Sequence, residues 1–70
     1  MTIRKGTTVT WKWGSSKAEG KVTEVHHDKV TRKTKGKEVT RNGSKDDAAY
    51  VIEQEDGTVV LKLDSEVDRA

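Results

Sequence analysis

The stretch AYVIEQEDGTVVLKL, residues 49–63, decides the fold class because it has the pattern of a β-hairpin. β-branched and aromatic side chains dominate 49–54 and 58–63, and apolar residues recur there at the two-residue period of a strand. An Asp-Gly pair lies between the two halves at 56–57, and two-residue hairpin turns favour this pair. We therefore predict two antiparallel strands joined by a tight turn.

Two further segments, nearer the N-terminus, also have strand character. TTVTWKW, 7–13, alternates strictly between apolar and polar side chains and ends at a Gly-Ser-Ser break. GKVTEVHH, 20–27, is less regular because Val22 and Val25 are three residues apart. Either the two valines face opposite sides of the sheet, or a β-bulge near Glu24 restores them to one face.

The remaining segments are more polar. Residues 28–47 could form a long flexible loop or an extended, weakly buried hairpin, and we favour a mobile basic loop over 28–36 with a short strand over 37–42. Residues 64–70 have the pattern of a short helical turn or a frayed tail. Five short strands and little helical pattern are typical of an all-β fold: a small, five-stranded, strongly bent antiparallel barrel. The whole chain, 1–70, forms one domain with its core at about 5–64.

Composition favours a binding module over an enzyme. The chain has 70 residues, of which 30% are hydrophobic and 37% charged, and no Cys. Disulfides, thiolate metal sites and Cys nucleophiles are therefore excluded, and a chain this short has little room for a substrate pocket beside its core. No cofactor is expected. The N-terminus lacks the apolar run of a signal peptide, and we expect a cytoplasmic monomer without membrane contact.

Charge is distributed unevenly along the chain. Residues 1–45 carry a net charge of +8 and residues 46–70 a net charge of −6. Basic and acidic strands could pair their charges across the sheet, or the basic part could bind phosphate groups with an exposed Trp13 as a stacking platform. The candidate nucleic-acid or ligand residues are Trp13, Lys29, Arg32, Lys33, Lys35, Lys37, Arg41 and Lys45.

Two polar clusters suggest chemistry but have simpler structural explanations. Asp46 and Asp47 are adjacent, so their side chains diverge in an extended segment, whereas metal binding or acid–base catalysis needs carboxylates that converge. A turn that fixes where the next strand begins is the favoured interpretation. His26, His27 and Asp28 contain metal-ligand types, but adjacent histidines in a strand face apart, so no metal site is predicted.

Taken together, these segments resemble the hypervirulence-associated TUDOR domain family over about residues 5–64. The resemblance rests on a Gly-x-x-Val-x-Trp element, a Gly-x-Val element, an SKDD element followed by a Tyr strand, a Gly turn and a late Lys. The matching residues are Gly6, Val9, Trp11, Gly20, Val22, Ser44, Lys45, Asp46, Asp47, Tyr50, Ile52, Glu53, Gly57 and Lys62. The sequence departs from the pattern at Ala48, where the family has Pro, and at Leu61, where it has His.

The resemblance implies an SH3-like TUDOR barrel and does not by itself imply a particular activity. TUDOR-like barrels often bind methylated cationic side chains in an aromatic cage. This chain has three aromatic residues, Trp11, Trp13 and Tyr50, and we expect the first and last to fill the core. The favoured function is therefore a non-catalytic module that binds a protein or peptide, and the alternative is nucleic-acid binding through 29–45 and Trp13.

Overall fold

The computed structural model describes residues 3–34 and 36–70. Within these residues it contains seven β-strands and one short 3₁₀ helix, Asp64–Glu66. The strands are β1 Thr8–Trp13, β2 Ser16–His26, β3 Lys29–Thr34, β4 Lys37–Asn42, β5 Ala49–Glu53, β6 Val59–Leu63 and β7 Asp68–Arg69. The all-β prediction and the predicted helical turn near the C-terminus are both confirmed. No helix in the described residues is long and apolar enough to cross a membrane.

The main sheet has five antiparallel strands in the order β6-β5-β2-β1-β7, and β3 and β4 form a separate two-stranded sheet. The sequence predicts five strands but wrongly includes 37–42 among those of the main sheet. The fifth strand of the main sheet is instead β7, which pairs with β1 through two residues only. Both residues of β7 are exposed and charged, so no apolar alternation marks this strand in the sequence.

β1 and β2 form a hairpin in which β2 begins earlier than predicted. Trp13 pairs with Ser16 across a two-residue turn, so β2 includes the residues before Gly20. Gly20 of β2 is buried, and its neighbours on β5 leave no room for a side chain at this position. A Cβ atom there would lie 2.5 Å from Cγ2 of Ile52 and 3.0 Å from the carbonyl oxygen of Glu53. Glycine therefore permits the close approach of β2 to β5.

A β-bulge in β2 explains its irregular apolar pattern. Val22 pairs with Ile52 and Glu24 pairs with Val51, so Thr23 is the extra residue. Its hydroxyl donates a hydrogen bond to the carbonyl oxygen of Val51. Val22 is buried and Val25 packs against the same cluster, so the structure has the bulge near Glu24 and not the other alternative, in which the two valines face opposite sides.

β5 is buried on both faces and separates two apolar clusters. Its residues Tyr50 and Ile52 belong to the larger cluster, inside the bent sheet, whereas Ala49 and Val51 belong to a smaller one on the other face. The larger cluster contains Ile3, Val9, Trp11, Val22, Ala48, Tyr50, Ile52 and Val67. The smaller contains Val30, Ala49, Val51 and Leu61, with Val39, Val59 and Leu63 packed against it.

The predicted mobile loop over 28–36 is wrong for residues 29–34, which form β3 and pair with β4 along their whole length. Val30 is buried on the face that packs against β5 and β6, while the other face of the hairpin is polar and exposed. The hairpin is closed by Gly43, whose amide donates to the carbonyl oxygen of Asp28 at 3.0 Å. A strand with one buried apolar residue gives almost no period-two pattern, and this is why the sequence suggested a loop.

Candidate functional site

The tip of the β1–β2 hairpin exposes a large aromatic side chain. Trp13 is 71% exposed, and among the described residues it is the one large apolar side chain at the surface. Trp11 and Tyr50 are 4% and 2% exposed. Because these are the only other aromatic residues of the chain, Trp13 has no aromatic neighbour with which to form a surface cage.

Two lysines lie beside Trp13 on the opposite face of the same hairpin. Lys12 on β1 is directly opposite Lys17 on β2, and both are exposed. Directly opposed like charges on a strand pair destabilise it. A surface depression of about 340 Å³ lies between them and the Gly14–Ser16 turn. The predicted second strand begins at Gly20 and so leaves out Lys17; the register of a two-residue turn at Gly14–Ser15 indicates the pair.

The basic segment predicted as a phosphate-binding surface is divided between the two faces of the β3–β4 hairpin. Lys29 and Lys33 point outward, and Lys33 is opposite Glu38. Arg32 and Arg41 belong to the inner face and are half-buried. Lys37 and Lys45 are exposed, and Lys35 lies outside the described residues.

The two arginines connect the hairpin to the main sheet. The guanidinium of Arg32 forms an ion pair with Oε1 of Glu24 on β2, and His26 Nε2 lies 2.8 Å from the same oxygen. The hydrogen bond with His26, followed by that with Arg32, holds the pKa of the Glu24 carboxyl below its usual value. Nε of Arg41 lies 3.4 Å from Oε1 of Glu66 in the 3₁₀ helix. Both arginines therefore have carboxylate partners, although only the Arg41–Glu66 pair joins the basic part of the chain, 1–45, to the acidic part, 46–70.

Trp13 and the root of the basic hairpin lie at opposite ends of β2. Trp13 pairs with Ser16, the first residue of β2, whereas β3 begins at Lys29, just beyond His26 at the other end of β2. The structure therefore does not bring Trp13 next to Lys29 and Arg41. Lys33, nearer the tip of the hairpin, lies beside the β5–β6 turn, and Lys35 is outside the described residues, so the combination of Trp13 with the basic segment stays a prediction.

The Asp pair has divergent surroundings. The Asp47 carboxylate accepts hydrogen bonds from the amide and the hydroxyl of Ser65, at 2.9 and 3.0 Å. Its own amide donates to Oγ of Ser44, while the amide of Ser44 donates to its carbonyl oxygen. Asp46 is exposed. Asp47 thus fastens the loop before β5 to the 3₁₀ helix, and the two carboxylates do not share a ligand position.

A groove of about 540 Å³ lies beside this loop. Ile3, Val25, Ala48 and Tyr50 supply its apolar lining, and its charged lining includes Arg4, Lys45 and Asp46. The Tyr50 hydroxyl donates to Oδ1 of Asp64 at 2.8 Å. Burial, reinforced by this hydrogen bond, raises the pKa of the Tyr50 phenol far above its usual value. No group of three or more potential metal ligands lies together within the described residues.

Most motif residues of the sequence pattern occupy structural positions. Val9, Trp11, Val22, Tyr50 and Ile52 are buried in the larger cluster. Gly6 and Gly57 have positive φ angles of 95° and 87°, which glycine adopts without strain. Gly20 lies at the close approach of β2 to β5, and Lys62 is half-buried opposite Tyr50.

Residues 6–67 match the family model of the hypervirulence associated proteins TUDOR domain. The chain belongs to this family. No curated protein and no solved structure matches the chain. Membership confirms the resemblance seen in the sequence and the small TUDOR-like β fold, and it indicates a small binding module. The family alone does not identify a partner, so the binding surface has to be inferred from the residues that the fold exposes.

Proposed function

We propose that this TUDOR domain is a non-catalytic module that binds a protein or peptide, acts as a cytoplasmic monomer, and contacts its partner mainly through Trp13. The observation that carries the proposal is the 71% exposure of this side chain in a domain that buries its other two aromatic residues. Tryptophan is among the residues most enriched at the energetic centres of protein interfaces.

The exposed indole has enough apolar surface to anchor a partner. A tryptophan side chain buries on the order of 200 Å² when covered, so the exposed part of Trp13 corresponds to roughly 3.5 kcal/mol at ~25 cal/mol per Å². Leaving this surface in water contributes nothing to folding. Gly14 and Ser15 form the turn next to it, and neither has a bulky side chain that would block an approaching partner.

Nucleic-acid binding through 29–45 is less well supported. Arg32 and Arg41 have carboxylate partners, Lys33 faces Glu38, and Trp13 lies at the other end of β2 from the root of the hairpin. Lysines on an exposed two-stranded hairpin also have a structural purpose, since charged side chains prevent strand edges from pairing with other chains.

The proposal can be tested by selecting peptides from a displayed random library against the immobilised domain. Affinities of the selected peptides are then measured for the wild type, for Trp13→Ala, and for Glu55→Ala at the exposed tip of the β5–β6 hairpin. Trp13→Ala should weaken binding by about thirtyfold or more, as expected for an interface hot spot, and should leave the unfolding midpoint unchanged. Glu55→Ala should bind normally.

Equal affinities for the wild type and Trp13→Ala would overturn the proposal. The same conclusion would follow if the domain bound duplex or single-stranded nucleic acid tightly, with losses on charge reversal at Lys29 and Lys33 and not on changing Trp13.

A further inference from the structure

One edge of β1 is left without a partner strand next to Trp13. β7 pairs with Val9 and Thr10, and the amide of Ala70 donates to the carbonyl oxygen of Thr8 at 3.0 Å. Alternate residues of a strand direct their backbone groups to the same edge, so Thr8, Thr10 and Lys12 all face the β7 side. β7 does not extend as far as Lys12, because the residues that precede β7 in the chain form the 3₁₀ helix. Within the described residues, no strand pairs with Lys12 at this edge.

The side chains at this edge differ between the two faces of the hairpin. Lys12 and its neighbour Lys17 give one face two positive charges, opposite each other and both exposed. Trp13 gives the other face an exposed aromatic ring. A strand added here would place alternate side chains next to Lys12, with Lys17 one strand further on across β1, and the intervening ones on the face of the indole.

We propose that the partner is an extended segment with alternating acidic and apolar residues, which adds as a strand to the edge of β1 at Lys12. The inference rests on the proposed function and specifies the chemistry of the partner. Its backbone bonds with the amide and carbonyl of Lys12, its carboxylates neutralise Lys12 and Lys17, and its apolar side chains cover Trp13. In strand addition, main-chain hydrogen bonds provide affinity, and contacts of alternate side chains on the two faces of the added strand provide specificity.

The unpaired strand edge and the two-faced arrangement of side chains favour a peptide over a nucleic-acid strand at this position. A nucleic acid could stack a base on Trp13 and place phosphates near the lysines. It could not continue a β-ladder, because that requires alternating amide donors and carbonyl acceptors along the incoming chain. The lysines and the indole also lie on opposite faces of the hairpin, and this is the arrangement that a strand with two-sided alternation matches.

The direct test is a titration of the labelled wild-type domain with a short capped peptide in which Glu and Val alternate, followed by amide and indole NMR. We expect shifts at residues 11–17 and at the Trp13 indole, with an affinity that falls as salt is added. A peptide with Lys in place of Glu, and a peptide of the same composition with its Glu residues in one block, should bind at least about tenfold more weakly. A block peptide that binds equally well would overturn the strand register.

Charge reversal provides a matched pair of variants. Lys12→Glu with Lys17→Glu keeps a directly opposed like-charge pair and adds carboxylates to the face that already carries Glu19 and Asp68, so its unfolding midpoint is measured first; affinity for the Glu–Val peptide should fall by about tenfold or more. Lys29→Glu with Lys33→Glu makes the same change in net charge on the exposed face of the other hairpin, and it should leave affinity nearly unchanged. Equal losses for both variants would mean that only net charge matters and would overturn the site.

Backbone methylation of the peptide tests the hydrogen bonds without altering the protein. In strand addition, alternate amides point to the edge of β1, so N-methylation of one alternate set should abolish binding while N-methylation of the other set is tolerated. Equal sensitivity of the two sets would overturn the inference.

If library peptides depend on Trp13 while the Glu–Val peptide does not bind, the inference is wrong and the proposed function stands. If oligothymidylate alone shifts the Trp13 indole, both are wrong.

Discussion

Val30→Ala is the substitution that most directly separates the docked β3–β4 hairpin from a mobile loop. Val30 is 4% exposed and belongs to the smaller cluster with Ala49, Val51 and Leu61. It is the one fully buried side chain of β3. If the hairpin packs on the sheet as observed, truncation of this residue removes apolar contacts between the hairpin and the sheet.

The expected cost follows from the buried groups. The substitution removes two methyl-sized groups, worth about 1.6 kcal/mol at ~0.8 kcal/mol each. The cavity that remains adds a few tenths of a kcal/mol, for a total of about 2 kcal/mol. A domain of this size has a stability of only ~4–10 kcal/mol, so this loss is a large fraction of the total.

The assay is urea unfolding combined with hydrogen exchange of the β3 and β4 amides. Val39→Ala, which truncates a half-buried side chain on the facing strand, should cost about half as much, and Lys33→Ala on the exposed face should change stability by less than about 0.5 kcal/mol. A loss below about 0.5 kcal/mol for Val30→Ala, together with unprotected β3 amides in the wild type, would refute the docked hairpin.

Three further substitutions test other contacts. Gly20→Ala forces a Cβ against Ile52 and should lower stability by about 1–3 kcal/mol in urea unfolding; an unchanged midpoint would show that β2 and β5 do not approach so closely. Asp47→Ala should cost about 1–2 kcal/mol because it removes both hydrogen bonds to Ser65, while Asp46→Ala next to it should be nearly neutral; equal costs would contradict the division of roles. Tyr50 is the only tyrosine, and its raised pKa means that the unfolded chain ionises first. Stability should therefore fall as pH rises above about 10, the phenolate absorbance of the folded protein should stay absent in that range, and Tyr50→Phe should remove this contribution; a normal titration near pH 10 would contradict the buried hydrogen bond.

Strands that face the large cluster could be predicted because their patterns are local. β1 alternates cleanly, and β5 and β6 are rich in β-branched and aliphatic residues. The sequence also contained a sign of the bulge at Thr23, since Val22 and Val25 could share a face only if one residue were extra. The turn between β5 and β6 is longer than predicted: the amide of Gly57 donates to the carbonyl oxygen of Gln54, and that of Gln54 to the carbonyl oxygen of Thr58.

β3 could not be predicted in the same way because it depends on partners that are distant in the sequence, and the Lys12–Lys17 pair was missed because it depends on where β2 begins. The hairpin is held by Val30 against β5 and β6 and by ion pairs from Arg32 to Glu24 and from Arg41 to Glu66. Neither ion pair follows a local spacing rule. The lysine pair depends on the register of the first turn, and a shift in where β2 begins changes which side chains are opposite each other. The candidate site was therefore only partly visible in the sequence, through Trp13.

The proposal that Trp13 is the main contact with the partner is tested most directly by an NMR comparison of the two indole resonances in the presence of a library-selected peptide. Trp13 is exposed and Trp11 is in the core, so the two Nε1–H signals report on the proposed surface and on the interior. If Trp13 is the contact surface, its indole signal should shift saturably together with the amides of residues 11–17, while the Trp11 indole signal shifts little. Shifts confined to the β3–β4 hairpin or to the groove beside Tyr50, with an unchanged Trp13 indole, would contradict the proposal.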